Sequence, residues 1–170
     1  MWLSKLNFED ITTSNLDKIK ANDLKVTECE YTSKEINYLL SNKNFKTILF
    51  HSVRILDDDF VINCNNKNLQ TLNCRISNIL PLNIKFNCNL SPKAVIKFNG
   101  IDVNKISGSV KGCKKLFLKN VRLDSFYPEY GNIENIDITL LDNIFNVFKD
   151  IEILYINNIR LEKDKKNNWK

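Results

Sequence analysis

Eight times along the chain two apolar side chains recur one residue apart: Leu6/Phe8, Leu24/Val26, Ile48/Phe50, Leu72/Cys74, Ile96/Phe98, Leu116/Leu118, Ile136/Ile138 and Leu154/Ile156. Counting back three residues from each pair places repeat starts at 3, 21, 45, 69, 93, 113, 133 and 151. Spacings of this size belong to chains built from stacked turns, because one such turn cannot bury its apolar side alone. A template with apolar residues at offsets 0, 3, 5, 8 and 10 is missed only at Thr13, Ser77, Lys93 and Asn143. That leaves 36 of 40 places matched in a chain with 43% hydrophobic residues, where about 17 matches would arise by chance.

Side chains alternate across a strand, so offsets 3 and 5 share one face while offsets 2, 4 and 6 share the other. The repeat therefore predicts about eight short parallel strands in one sheet. Each turn's return segment should cover the inner face, giving an α/β solenoid in which only the strand face opposite the core is open. The return segments are not uniform. Thr32-Ser33-Lys34-Glu35 fits a capping box, with Ile36, Leu39 and Leu40 on one helical face behind it. Ser14 before Leu16 and Ile19, and Asp142 before Ile144, Phe145 and Phe148, predict two further helices. Phe60 to Asn65 and Ile84 to Asn89 alternate with period two and should return extended. Gly108, Gly112, Pro128 and Gly131 read as tight connections between strands.

The pattern resembles the leucine-rich repeat family. Its LxxLxLxxNxL signature is approached by Phe45-x-x-Ile48-x-Phe50-x-x-Val53-x-Ile55, by Cys113-x-x-Leu116-x-Leu118-x-x-Val121-x-Leu123 and by Ile151-x-x-Leu154-x-Ile156-x-x-Ile159-x-Leu161. The chain departs at offset 8, where the family places Asn and this sequence has Ile11, Cys29, Val53, Ser77, Ile101, Val121, Leu141 and Ile159. The resemblance implies an irregular member, horseshoe-like or arc-like, without an asparagine ladder. It also implies a non-enzymatic binding function; a substrate receptor or effector fragment of a larger repeat protein is one alternative.

At 170 residues residues 1–170 are expected to form a single repeat domain that needs no staples, with 162–170 as a polar tail over which Trp169 could fold back. Only Met1 and Trp2 precede the first repeat, so the amino-terminal edge is expected to be the less stable end: frayed, covered by another subunit, or once continuous with further sequence. No apolar leader or membrane-length stretch is present, and the expected setting is cytoplasmic. The five cysteines are an odd number without a Cys-x-x-Cys pair. Cys29, Cys74 and Cys113 therefore read as reduced core thiols, and no metal or cofactor is expected. Cys64 and Cys88 share offset 19 and should stack as neighbours, where a disulfide is geometrically conceivable.

His51, the single histidine, falls on the open strand face beside Thr27 and Arg75, with Cys74 pointing away, which argues against a Cys-His nucleophile. Asp57-Asp58-Asp59 lacks the spacing of a calcium loop and reads as a turn capping the return segment. Reading offsets 4 and 6 down the stack sets Arg75, Lys97 and Lys119 on successive strands, with Phe117 and Tyr155 beside them. Together with His51 these form the candidate partner-binding face, suited to an acidic or phosphorylated protein segment. Nucleic acid is the competing partner. Against it stand a net charge of only +5 and four arginines, far from a dense basic stripe.

Overall fold

The computed structural model describes residues 2–4, 21–121, 141–157, 159–165 and 168–170, and every apolar pair of a described repeat points into its core. The strands are β1 (Trp2–Ser4), β2 (Asp23–Thr27), β3 (Glu30–Tyr31), β4 (Thr47–Ile55), β5 (Asp59–Cys64) and β6 (Thr71–Ile76). They continue with β7 (Asn83–Asn89), β8 (Val95–Asn99), β9 (Ile106–Lys111), β10 (Lys115–Lys119), β11 (Ile153–Ile156) and β12 (Ile159–Glu162). Two short helices, α1 (Ser33–Ser41) and α2 (Asp142–Val147), and a 3-10 turn at Val103–Lys105 complete the described elements. The described residues are mostly sheet, mainly parallel, with few helices and no closed barrel.

One sheet runs β1-β2-β4-β6-β8-β10-β11-β12, with β3 paired to β4; a second runs β5-β7-β9. From β4 to β10 consecutive strands alternate between the sheets. In the large sheet Leu24, Ile48, Leu72, Ile96, Leu116 and Leu154 form one inward row in direct register, and Val26, Phe50, Cys74, Phe98, Leu118 and Ile156 form the next. All twelve are buried. Facing them from the small sheet are Phe60, Ile62 and Cys64, then Ile84, Phe86 and Cys88, then Ile106 and Val110. Phe86 meets Phe98 edge-on at 5.4 Å and Phe148 at 5.1 Å, tying the two sheets and the segment after α2 together.

The two extended returns are β5 and β7. A third, β9, carries little strand signal in the sequence, because Ser107, Gly108 and Ser109 mute its alternation. Gly108 lies inside this strand rather than in a connection. Its φ is +92°, and a Cβ there would come within 2.0 Å of Phe86 O, so only glycine fits. The capping box forms as expected: Thr32 Oγ1 accepts from Glu35 N, and the Glu35 carboxylate accepts from Thr32 N. Asp57 accepts from Ser33 N at the start of α1. The helix expected after Ser14 lies outside the described residues.

Three repeat expectations need correction. The first is the place of Ile136/Ile138. β10 pairs directly with β11, Leu116 opposite Leu154, so no strand stands between them. The junction is pinned because Glu152 N and Ile153 N both donate to Lys114 O, as Gln70 N and Thr71 N do to Lys46 O. Period-two alternation marks a half-buried strand but does not say which neighbour it has. Ile136 and Ile138 themselves lie outside the described residues.

The second concerns the amino-terminal repeat. β2 receives Trp2–Ser4 on its outer edge, with Leu3 opposite Val26, the place expected of Phe8. Leu6 and Phe8 lie outside the described residues.

The third is the turn that starts at residue 69. Glu28, Ser52, Gly100 and Asn120 all sit at offset 7 with positive φ, just past β2, β8 and β10 and, for Ser52, inside β4. Ile76, at the same offset, lacks the positive φ. The register slips by one, Ile76 pairing with Val53, and Asn78 then clamps Ile55 through both its N–H and C=O at 2.8 Å. Ile79, expected in the core at offset 10, is left 98% exposed. A smaller shift explains the miss at Lys93, where Ala94 takes the buried place instead.

Two asparagines bond the turning backbone before the strands rather than at offset 8. Asn42 and Asn66 are buried in successive turns, and Asn66 Nδ2 donates to Asn42 O and Phe45 O, each at 3.1 Å. Their Oδ1 atoms accept from Asn44 N and Asn68 N. The exposed edges of the small sheet are covered by side chains of the helices. Ser33 Oγ and Asn37 bond the β5 backbone at Asp59, Val61 and Asn63, and Asn143 Nδ2 donates to Val103 O and Ile106 O at the β9 side. At the far end of the large sheet β12 returns antiparallel on β11, and Trp169 stacks on Phe145 at 4.6 Å.

Ile96→Asp and Leu116→Asp should each unfold the chain, because an unpaired carboxylate in this inward row costs about 4 kcal/mol or more. Asn66→Leu should cost about 1–3 kcal/mol through the carbonyls it leaves unpaired. Chemical denaturation checks both; parent-like midpoints would place these side chains outside the core.

Candidate partner-binding face

The face of the large sheet turned away from the core carries three rows of side chains. Nearest the strand starts run Asp23, Thr47, Thr71, Val95, Lys115, Ile153 and Glu162. The next row is Lys25, Leu49, Asn73, Lys97, Phe117, Tyr155 and Arg160, and the third is Thr27, His51, Arg75, Asn99 and Lys119. The strand alternation that buries offsets 3 and 5 is what presents these residues outward.

All six expected site residues share this face, but in two rows. His51 and Arg75 are direct register partners, with Arg75 Nη1 at 3.2 Å from His51 Nε2. Lys97 faces Phe117, which faces Tyr155. The two rings are stacked, 4.3 Å between centroids and 4° from parallel, and the Lys97 ammonium sits 5.3 Å from the Phe117 centroid. That is cation–π distance and holds the ammonium over the rings. Lys119 is exposed in the third row beside Asn99. Arg75, Lys97 and Lys119 thus zigzag over β6, β8 and β10 rather than forming a straight file.

Offset 2 supplies what the two-row reading missed. Lys115 adds a cation on β10, while Val95 and Ile153, both half-buried, widen the apolar surface around the stacked rings. The same alternation that predicts offsets 4 and 6 covers offset 2, so the signal was present. Arg160 enters only through the β12 hairpin and is paired with Glu162. On β4, β6, β8 and β10 the outward positions of these rows hold His51, Arg75, Lys97, Lys115 and Lys119 and not one Asp or Glu. Such a field attracts anions and weakens with salt.

Nucleophilic chemistry has little to work with among the described residues. The ring of His51 meets Arg75, and the five thiols are free and buried, Cys64 beside Cys88 in register. Burial pushes the Cys88 thiol up to about 12 and the Cys113 thiol up to about 11. It also raises Cys64 and Cys74, the latter further because it faces Cys88 and Cys64. Protonated buried thiols are poor nucleophiles. No group of three or more His, Cys, Asp or Glu among the described residues could hold a metal ion. A shallow depression lined by Arg160, Glu162, Lys163, Asp164 and Lys170 is occupied by its own ion pairs, Arg160 with Glu162 and Lys170 with Asp164. No described helix is long and apolar enough to cross a membrane.

No protein-family model matches the chain, and neither the curated proteins nor the solved structures compared with it give a match.

The raised thiols carry a pH signature. Above the ordinary thiol value of 9.0 the unfolded chain releases thiol protons that the folded chain keeps until about 11 to 12, so stability should fall through that window. Thermal melts between pH 8 and 11 should show the decline, and Cys88→Val should make it shallower. An unchanged slope in that variant would mean that Cys88 is not held protonated by the fold.

Proposed function

We propose that this chain is a non-enzymatic interaction module, a divergent leucine-rich-repeat-like solenoid, that binds an acidic or phosphorylated protein segment on the open face of its large sheet. One observation carries the reading: five cationic or cation-forming side chains on four consecutive strands without a carboxylate among them, next to a stacked aromatic pair. A parallel sheet spaces these strands about 4.8 Å apart, so a segment laid across β4, β6, β8 and β10 passes a cationic or cation-forming side chain on each strand. Each exposed ion pair contributes only about 0–1 kcal/mol, so affinity must come from several acting together. Phe117 and Tyr155, with Val95 and Ile153 beside them, provide the apolar anchor that charge alone lacks.

The cations fit carboxylates through Lys97, Lys115 and Lys119, and phosphoryl oxygens through the forked donors of Arg75. The scaffold favours binding over catalysis for the same reason it is rigid. Its outward side chains stand on strands with fixed spacing, whereas among the described residues nothing converges into an enclosed site.

The test is binding of labelled peptides, one carrying Asp and Glu around a central Leu and one with phosphoserine in place of two acids, to the parent and to Arg75→Glu/Lys97→Glu/Lys119→Glu. The triple variant should lose at least about tenfold in affinity with an unchanged melting temperature, because these side chains face solvent. Phe117→Ala should weaken both peptides alike. Parent-like affinity in the triple variant overturns the reading. Tighter retention of single-stranded RNA than of either peptide, steeply reduced by salt, would replace it with nucleic-acid binding.

A further inference from the structure

The contact between His51 and Arg75 is chemically one-sided. Arg75 Nη1 lies 3.2 Å from His51 Nε2, and a guanidinium has only N–H donors, so the contact is a hydrogen bond in the tautomer whose Nε2 accepts. Protonating the ring there would remove the acceptor and set an imidazolium against a permanent cation. No acid on the outward rows of β4 or β6 offsets that pair. The register neighbours of His51 are Thr27 on β2 and Arg75 on β6, with Lys25 and Asn73 one row away, the exposed Glu28 just past β2, and Leu49 and Ser52 on its own strand.

We propose that His51 and Arg75 form a proton-linked grip for a phosphoryl group, a deepening that rests on the anion-binding reading of this face. An arriving phosphoryl group breaks the His51–Arg75 contact and accepts from the Arg75 guanidinium. Its negative charge also favours a proton on His51 Nε2, taken up from solvent, which then donates to the same group. A dianion offsets both cations, whereas a carboxylate offsets one. The grip therefore prefers phosphoryl over carboxyl groups, and the preference grows with ring protonation. Lys97 and Lys119 on β8 and β10 then hold the acids that follow along the segment.

Sulfate serves as the probe because it stays a dianion while phosphate titrates. The chain has a single histidine, so its ring resonances report on His51 without assignment. Sulfate affinity should rise by at least about fivefold from pH 7.5 to pH 5.5 at constant ionic strength, the sign required when binding takes up a proton. Sulfate, unlike chloride, should also protonate the ring at a higher pH than in its absence. His51→Gln should flatten the pH dependence, Arg75→Gln should abolish the ring response, and Glu28→Gln should leave both in place. Equal sulfate affinity at the two pH values, or loss of the response in Glu28→Gln, overturns the grip. If the acidic peptide still binds the parent and not the triple variant in that case, the cationic-face reading stands by itself; if it does not bind, both fall.

Discussion

The whole structure depends on parallel register between turns. A single strand such as β6 exposes Leu72 and Cys74 on one side and a row of backbone N–H and C=O groups on each edge. Only a neighbouring turn landing in the same register satisfies the edges and continues the inward rows, and β4 and β8 do both. Burial and backbone pairing are therefore one requirement rather than two. The paired donors at each strand entrance, Gln70 and Thr71 to Lys46 O or Glu152 and Ile153 to Lys114 O, fix where a turn begins. The buried amides of Asn42 and Asn66 hold the corners just ahead of them.

A ladder of this kind must end somewhere, and the two sheets end differently. Helix side chains stand in for missing strands on the small sheet: Ser33 and Asn37, one turn apart on α1, match the spacing of β5 donors and acceptors, and Asn143 does the same beside β9. The large sheet turns its last strand back on itself, with Leu161 over Leu154. These closures leave the outward face of the large sheet as the broad regular surface. Its rows place Arg75 against His51 and Lys97 against the Phe117–Tyr155 stack. The face is thus a by-product of the core: the spacing that buries the apolar rows also spaces the cations.

Much of this was legible in the order of residues. Inward pairs, outward rows, the two extended returns and the adjacency of His51 and Arg75 all follow from alternation and a period near 24, because side-chain direction in a strand is set by parity alone, and the capping box at Thr32 follows from its own four-residue motif. The candidate face was legible to the same extent, lacking only offset 2 and Arg160. Parity does not identify neighbours. The pair Ile136/Ile138 had the right pattern without a place between β10 and β11, and Ile79 had the right offset but was displaced by the slip at Ile76.

What the sequence determined by itself was the period, the face on which each strand residue lies, and hence which side chains could meet a partner. What only the tertiary structure decided was how turns are joined at their ends: which strand pairs with which, the one-residue slip, the hairpin that closes the large sheet, and the Asn and Ser side chains that finish the edges. The physical reason is that direction across a strand is local, whereas pairing is a competition among all available edges. Single backbone angles at offset 7 and single polar side chains settle that competition, and their partners lie 20 to 40 residues away.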